Sequence, residues 1–282
     1  MFAFVTVGMA GWTRRVGPGR LFRMFLLLLA GSAGLSGEAA AHFQLIYTPE
    51  VNLAKAGDVP LRLIFWHPFE NGPVMDMASP EGFVVFFKGK KTDLRPSLTP
   101  ITFQGASNSA AAFAATLPVS RRGDYILVLT PAPYLESSED IYIQQIAKSF
   151  INVGQTPTDW EQPLSLPTEI VPLNRPTNII AGSTFSGQVL SKGKPVAGAK
   201  VEIEYMAAVP DIQANAATMP VTTPLPGGSL AAITDANGVF TFGVPKAGFW
   251  GFAALGTGPQ KTHAGKTLSQ DAVLWIRAYD LP

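Results

Sequence analysis

The sequence predicts an all-β protein built as two β-sandwich domains. Two observations carry this. Turn formers are frequent, with 27 Gly and 24 Pro in 282 residues, and they bound short apolar runs about five to ten residues apart. Stretches with the 3.6-residue period of an amphipathic helix are scarce, so runs of strands without intervening helices point to packed sheets.

The N-terminal segment stands apart. Arg14, Arg15, Arg20 and Arg23 precede an apolar run from Phe25 to Leu35, and Ala39-Ala40-Ala41 follows. A basic start, a short apolar stretch and an A-x-A ending form the pattern of a secretory signal, and the run is short for a membrane span of ~20 residues. Residues 1–41 are therefore expected to be removed, leaving His42 as the first residue of an exported, periplasmic chain with no integral membrane span. Removal lowers the basic count from 21 to 17 and the acidic count from 20 to 19. No basic run interleaved with aromatics occurs, which argues against nucleic acid as a partner. The chain has no Cys, which excludes thiol nucleophiles, thiolate zinc sites and iron–sulfur clusters.

The first domain is expected over residues 42–172. Phe43–Tyr47 and Leu61–Trp66 read as strands. Phe83–Phe87 is continuously apolar, as in a strand covered on both faces. Ile101–Phe103 and Ala111–Leu117 are weaker strands, and Gly123–Leu129 is a turn leading into a strong one. Ile141–Val153 alternates only in part and admits a helix-to-strand switch. Leu164–Pro172 is punctuated by Pro and reads as a linker.

The second domain is expected over residues 173–282. A strand enters at Ala181–Leu190, and Lys192–Val196 is a turn. Ala199–Tyr205 alternates cleanly, with Val201, Ile203 and Tyr205 on one face. Residues 206–230 read as a long loop. Strands follow around Val239–Phe242, Gly248–Leu255 and Ala272–Ala278. Asp235-Ala236-Asn237-Gly238 lacks the full ligand pattern of a calcium loop and reads as a hairpin turn. The order Gly193-x-Pro195-x-x-Gly198-Ala199-x-Val201, then Thr234-Asp235-x-x-Gly238-x-Phe240, resembles transthyretin-like and carboxypeptidase-regulatory-like sandwich modules.

The chemistry concentrates in Phe65–Pro80. Within it lie His67, Glu70, Met75, Asp76 and Met77, which offer imidazole, carboxylate and thioether, all metal-ligand types. Met75 and Met77 face one way in an extended chain and suit softer ions such as copper(I), or simply fill a core. His67 reads equally as a structural histidine beside Trp66 and Pro68. If cleavage exposes His42, its α-amine (pKa ~7.7–8.0) and imidazole (pKa ~6.5) form a bidentate chelate suited to nickel, cobalt or copper. Antiparallel pairing of the strands Phe43–Tyr47 and Val59–Phe65 would then bring His42 beside His67. His263 sits in an apparent exposed turn.

Nearly all of the exported chain resembles a bacterial family described as the nickel transport complex, NikM-type subunit. The marks are Ala41-His42-Phe43, His67-Pro68-Phe69-Glu70, Met75–Pro80, Glu169–Pro172, Gly193-Lys194-Pro195, Gly238–Phe242 and Gly248–Phe252. The resemblance implies a periplasmic accessory protein that binds a transition metal and serves the membrane components of a nickel or cobalt importer. A copper carrier, or a metal-free structural or adhesive protein, is the alternative. A terminal His on a sandwich is also the outline of copper polysaccharide monooxygenases, but no aromatic surface for carbohydrate follows. No G-x-S-x-G, H-E-x-x-H or phosphate loop occurs, so a non-enzyme is expected.

Overall fold

The computed structural model describes residues 43–223 and 230–281. The expected signal segment and His42 lie outside the described residues. The chain is all-β: a three-residue 3-10 turn at Arg95–Ser97 is the helical content among the described residues.

Three sheets are stacked. The first contains, in order, Phe43–Tyr47, Gly57–Trp66, Ser109–Val119 and Thr99–Gln104, with Val74–Met75 added beside Gly57–Trp66. The second is the central sheet. Its path runs from Leu230–Ile233 through Lys200–Tyr205, Gly248–Ala254, Lys266–Tyr279, Ile141–Val153, Gly123–Thr130 and Gly82–Phe87 to Lys90–Asp93. The third holds Thr168–Pro172, Thr184–Ser191, Lys194–Pro195 and Val239–Gly243.

The central sheet separates two apolar cores because its side chains alternate across it. Tyr125 and Leu127 face the core shared with the first sheet, while Ile126 between them faces the core shared with the third. Val273 and Trp275 alternate with Leu274 and Ile276 in the same way. A sheet covered on both faces favours nearly continuous apolar strands, and Gly123–Thr130 has all but its last residue buried. The Phe83–Phe87 run is only partly of this kind: Phe83 and Val85 enter the first core, and Phe86 packs against the second.

Strands from both sides of residue 172 meet in this sheet. Ile141–Val153 runs parallel to Lys266–Tyr279, in register from Tyr142↔Leu268 to Lys148↔Leu274. The Ile141–Val153 segment is one 13-residue strand, without a helical portion. Its partial alternation reflects burial on both faces over most of its length.

Three expectations are corrected. Within Leu164–Pro172, Thr168–Pro172 is a strand rather than linker, paired antiparallel from Thr168↔Ser191 to Pro172↔Gly187. The proline sits at the strand's last paired position, and the next residue, Leu173, still donates its N–H to the Ser186 carbonyl at 2.9 Å. The 206–230 loop also carries structure, since Pro210–Asp211 and Ala216–Ala217 join the first sheet through Ala216↔Gln104. The Asp235 turn is not a hairpin, because the strands flanking it lie in different sheets. Asp235 Oδ1 accepts the backbone N–H groups of Asn237 and Val239, both at 2.8 Å, so local turn geometry occupies this oxygen.

Candidate metal centre

The sequence places its candidate ligands around the end of the Gly57–Trp66 strand. That strand pairs antiparallel with Phe43–Tyr47, in register from Phe43↔Trp66 to Tyr47↔Arg62. The start of the first strand thus lies beside the end of the second, as the sequence reading expects. All five residues of Phe43–Tyr47 are buried.

Side chains of the central sheet satisfy the outer edge of Phe43–Tyr47. Gln145 Oε1 accepts the Gln44 N–H at 2.8 Å, and Trp275 Nε1 donates to the Gln44 carbonyl at 3.0 Å. At Gln44 the edge backbone is therefore paired without a further strand, a way of blocking edge-to-edge association. The Phe43 ring meets Trp275 edge-on, with centroids 5.7 Å apart. These contacts fix where the chain enters the fold.

His67 follows directly on the strand and is buried, at 3% exposure. A tight turn surrounds it. The Gly72 N–H donates to the His67 carbonyl at 3.0 Å, and Trp66 Nε1 donates to the Gly72 carbonyl at 2.9 Å. A Cβ on Gly72 would lie 3.0 Å from the His67 Cβ, so the turn closes tightly over the imidazole's base. Asn71 adopts a positive φ of 49° to make this turn, a conformation that Asn tolerates better than most residues.

The remaining candidates separate. Met75 is buried, and its residue pairs with Phe65 in the short Val74–Met75 strand. Met77 is also buried, and its Sδ accepts from Gln44 Nε2 at 3.4 Å. Asp76 is exposed, with Oδ1 accepting the Ala111 N–H at 2.7 Å. Asp76 and Met77 line a cavity of about 150 Å³ with Gln44, Phe65, Tyr134 and Gln145. Glu70 is exposed and points to different company: its charge acts on Glu204, across the 67–72 turn. Among the described residues, no three His, Cys, Asp or Glu side chains gather into a group able to hold an ion.

The structure also contains ionisable residues that the sequence reading missed. Glu204 is buried with one carboxylate oxygen, Oε2, unpartnered. Lys148 and Glu169 form a fully buried ion pair. The signal for Glu204 was its place between Ile203 and Tyr205 in a clean alternation: the face opposite the second core is occupied by Glu202, Glu204 and Met206. His263 is half-buried rather than solvated, with its ring 4.6 Å from Tyr142. Trp250 and Trp275 are core residues, as expected.

Comparison with known proteins adds a family and little more. No curated protein matches the chain. Solved structures that align include the D0-D1 domain of intimin, at 12% identity over 84% of this chain and 100% of that one, with a TM-score of 0.21. The adhesin InvE of Yersinia pseudotuberculosis aligns at 17% identity over 82% of this chain and 58% of that one, with a TM-score of 0.22. Fibronectin(III)-like modules of Clostridium thermocellum CbhA align at 6% identity over 84% of this chain and 95% of theirs, with a TM-score of 0.19. Superposition this poor transfers neither topology nor activity. A family model does match, over residues 39–258, and the chain belongs to the family described as "Domain of unknown function (DUF4198)".

Proposed function

We propose that the protein is a periplasmic carrier of a divalent transition metal, nickel or cobalt, acting as an accessory to a membrane importer. The metal is cargo. Its ligands are the α-amine and imidazole of His42, freed by cleavage after Ala41, together with the imidazole of His67.

The observation that supports this reading is the pair Phe43↔Trp66 at the end of the antiparallel ladder. This ladder sets the start of the Phe43–Tyr47 strand beside the end of the Gly57–Trp66 strand, which His67 directly follows, and so supports the reading that His42 and His67 share one ion. Three nitrogens in that arrangement suit nickel(II), cobalt(II) or copper(II) better than magnesium or calcium. The family resemblance supports nickel or cobalt over copper.

Protons compete for all three nitrogens, so affinity falls as pH drops below about 6.5. The test is calorimetry with Ni(II), Co(II) and Cu(II) on three proteins: the exported chain, its His67→Ala variant, and a chain with one extra Met before His42. The extra Met converts the amine to an amide. Tight binding by the exported chain and weak binding by the other two is the expected result. Equal binding by the Met-extended chain removes the terminal chelate. Normal binding by His67→Ala as well removes the whole site, and a structural or adhesive role takes its place. The intact mass of the exported protein checks the cleavage point independently.

A further inference from the structure

The turn that carries His67 is docked on the second half of the chain. The Pro68 carbonyl accepts the N–H groups of both Ala207 and Ala208, at 3.1 and 3.2 Å. Phe69 is buried in the second core with Tyr205 and Ala207. The turn is thereby clamped against the end of the Lys200–Tyr205 strand. In that strand Val201, Ile203 and Tyr205 point into the second core, so Glu204 projects from the opposite face, on the side of Met206.

Glu204 is 3% exposed, and its Oε2 has no hydrogen-bond partner. Among the buried polar side-chain atoms left unpartnered in the described residues, it is the one carboxylate oxygen. The Phe69 backbone N–H is directed at the carboxylate, which gives it one donor. The next acid in the sequence, Glu202, has its own cation: Lys200 Nζ lies 2.7 Å from its Oε1. No cationic side chain is paired with Glu204 among the described residues. The nearby charged group is instead another acid, Glu70, and burial first and Glu70 second raise the Glu204 carboxyl well above the usual carboxylate range. A second orphan oxygen, Asn71 Oδ1, lies on the same turn, next in sequence to Glu70. Burying a carboxylate near a like charge without compensation is unfavourable. A buried carboxylate oxygen without a donor, beside a second acid, is what a cation repays.

We propose that Glu204, with Glu70 and Asn71, forms an oxygen-only site for one hard divalent cation, calcium or magnesium, at the seam between the 67–72 turn and the Lys200–Tyr205 strand. Two carboxylates and one amide carbonyl form a partial shell that water completes, as hard cations accept. With only two charged ligands the expected affinity is that of weak extracellular calcium modules, Kd about 0.1–1 mM. The site is separate from the nitrogen site at His67. Its consequence is mechanical: an ion here ties the His67 turn to the second sandwich.

The test is calorimetry of the exported chain with CaCl2 and with MgCl2 at pH 7.5, beside Glu204→Gln, Glu70→Gln and His67→Ala. Glu204→Gln keeps the shape and removes the charge. Glu70→Gln changes an exposed residue, so it keeps the test valid if the first variant fails to fold. The expected result is one ion bound by the parent and by His67→Ala, no detectable binding by Glu204→Gln, and about tenfold weaker binding by Glu70→Gln. No heat from the parent up to about 10 mM of either salt overturns the proposal, because a site of this class is then saturated. Parent-like binding by Glu204→Gln or by Glu70→Gln overturns it too. Loss of calcium by His67→Ala overturns the separation of the two sites. Nickel binding by the parent is read in the same series, so failure of the His67 site and failure of this one are told apart.

Discussion

Lys148 Nζ lies 2.8 Å from Glu169 Oε2, and both side chains are 1% exposed. The pair joins Ile141–Val153 of the central sheet to Thr168–Pro172 of the third. Glu169 also accepts the Leu164 N–H at 2.9 Å and the Leu166 N–H at 3.4 Å, so one carboxylate anchors both the strand and the segment leading to it. Burial lowers the Lys148 pKa, and Glu169 opposes that shift.

Removing one partner leaves the other charged and buried, which costs about 3–5 kcal/mol. Lys148→Met is expected to lose that much stability in urea unfolding at pH 7. Replacing both, as Lys148→Met with Glu169→Gln, should recover most of the loss, since the glutamine carbonyl still accepts the Leu164 N–H. A double variant no more stable than Lys148→Met contradicts the argument.

The entry strand gives a second prediction. Trp275→Phe keeps an aromatic ring against Phe43 but leaves the Gln44 carbonyl without its donor. A buried acceptor left unpaired costs about 1–3 kcal/mol. The loss should fall on the Phe43–Tyr47 strand first. Hydrogen exchange should speed up at the amides of this strand more than at those of Gly123–Thr130, which make no contact with the Gln44 carbonyl.

A pH prediction follows from Asp271. Its carboxylate is buried and accepts the Gly256 N–H at 2.7 Å and Ser269 Oγ–H at 2.6 Å. Burial raises its pKa, and these donors only partly offset the effect. With the folded pKa above the unfolded value, its contribution is complete below pH ~3.8 and is lost as pH rises through the folded pKa. Asp271→Asn cannot ionise. The melting temperature of the parent should therefore fall relative to that of Asp271→Asn as pH rises from about 4. A parent that gains on the variant contradicts the sign.

Much of the fold was legible because alternation and turn residues are local. Lys200–Tyr205 and Gly123–Leu129 could be placed from their own residues, and the pairing of Phe43–Tyr47 with Gly57–Trp66 followed from their adjacency. The parallel match of Ile141–Val153 with Lys266–Tyr279 could not, since more than a hundred residues separate the paired positions, such as Tyr142 and Leu268. Thr168–Pro172 was hidden by the prolines around it. For the site, clustering in sequence suggested one group of ligands, yet the turn at Asn71 and Gly72 sends Glu70 toward Glu204 while Asp76 and Met77 line a separate cavity with Phe65 and Gln145. Glu204 lies more than a hundred residues from Glu70 and carries no motif, so only the folded chain brings the two acids together.

The last prediction separates nickel from copper. Met77 is 7% exposed, and its sulfur already accepts from Gln44 Nε2, whose shortest bond is to the Ile64 carbonyl at 2.9 Å. Met77→Leu is close to volume-conserving and should cost less than about 1.5 kcal/mol. It removes a soft ligand and leaves every nitrogen in place. If the cargo is nickel(II) or cobalt(II) held by nitrogen, the Met77→Leu protein binds either metal as the parent does. If the cargo is copper(I), which favours thioethers, Met77→Leu weakens copper(I) binding by an order of magnitude or more while nickel binding stays weak in both proteins. A copper(I) competition assay run beside nickel calorimetry on the two proteins decides the metal, and it does so without disturbing His42 or His67.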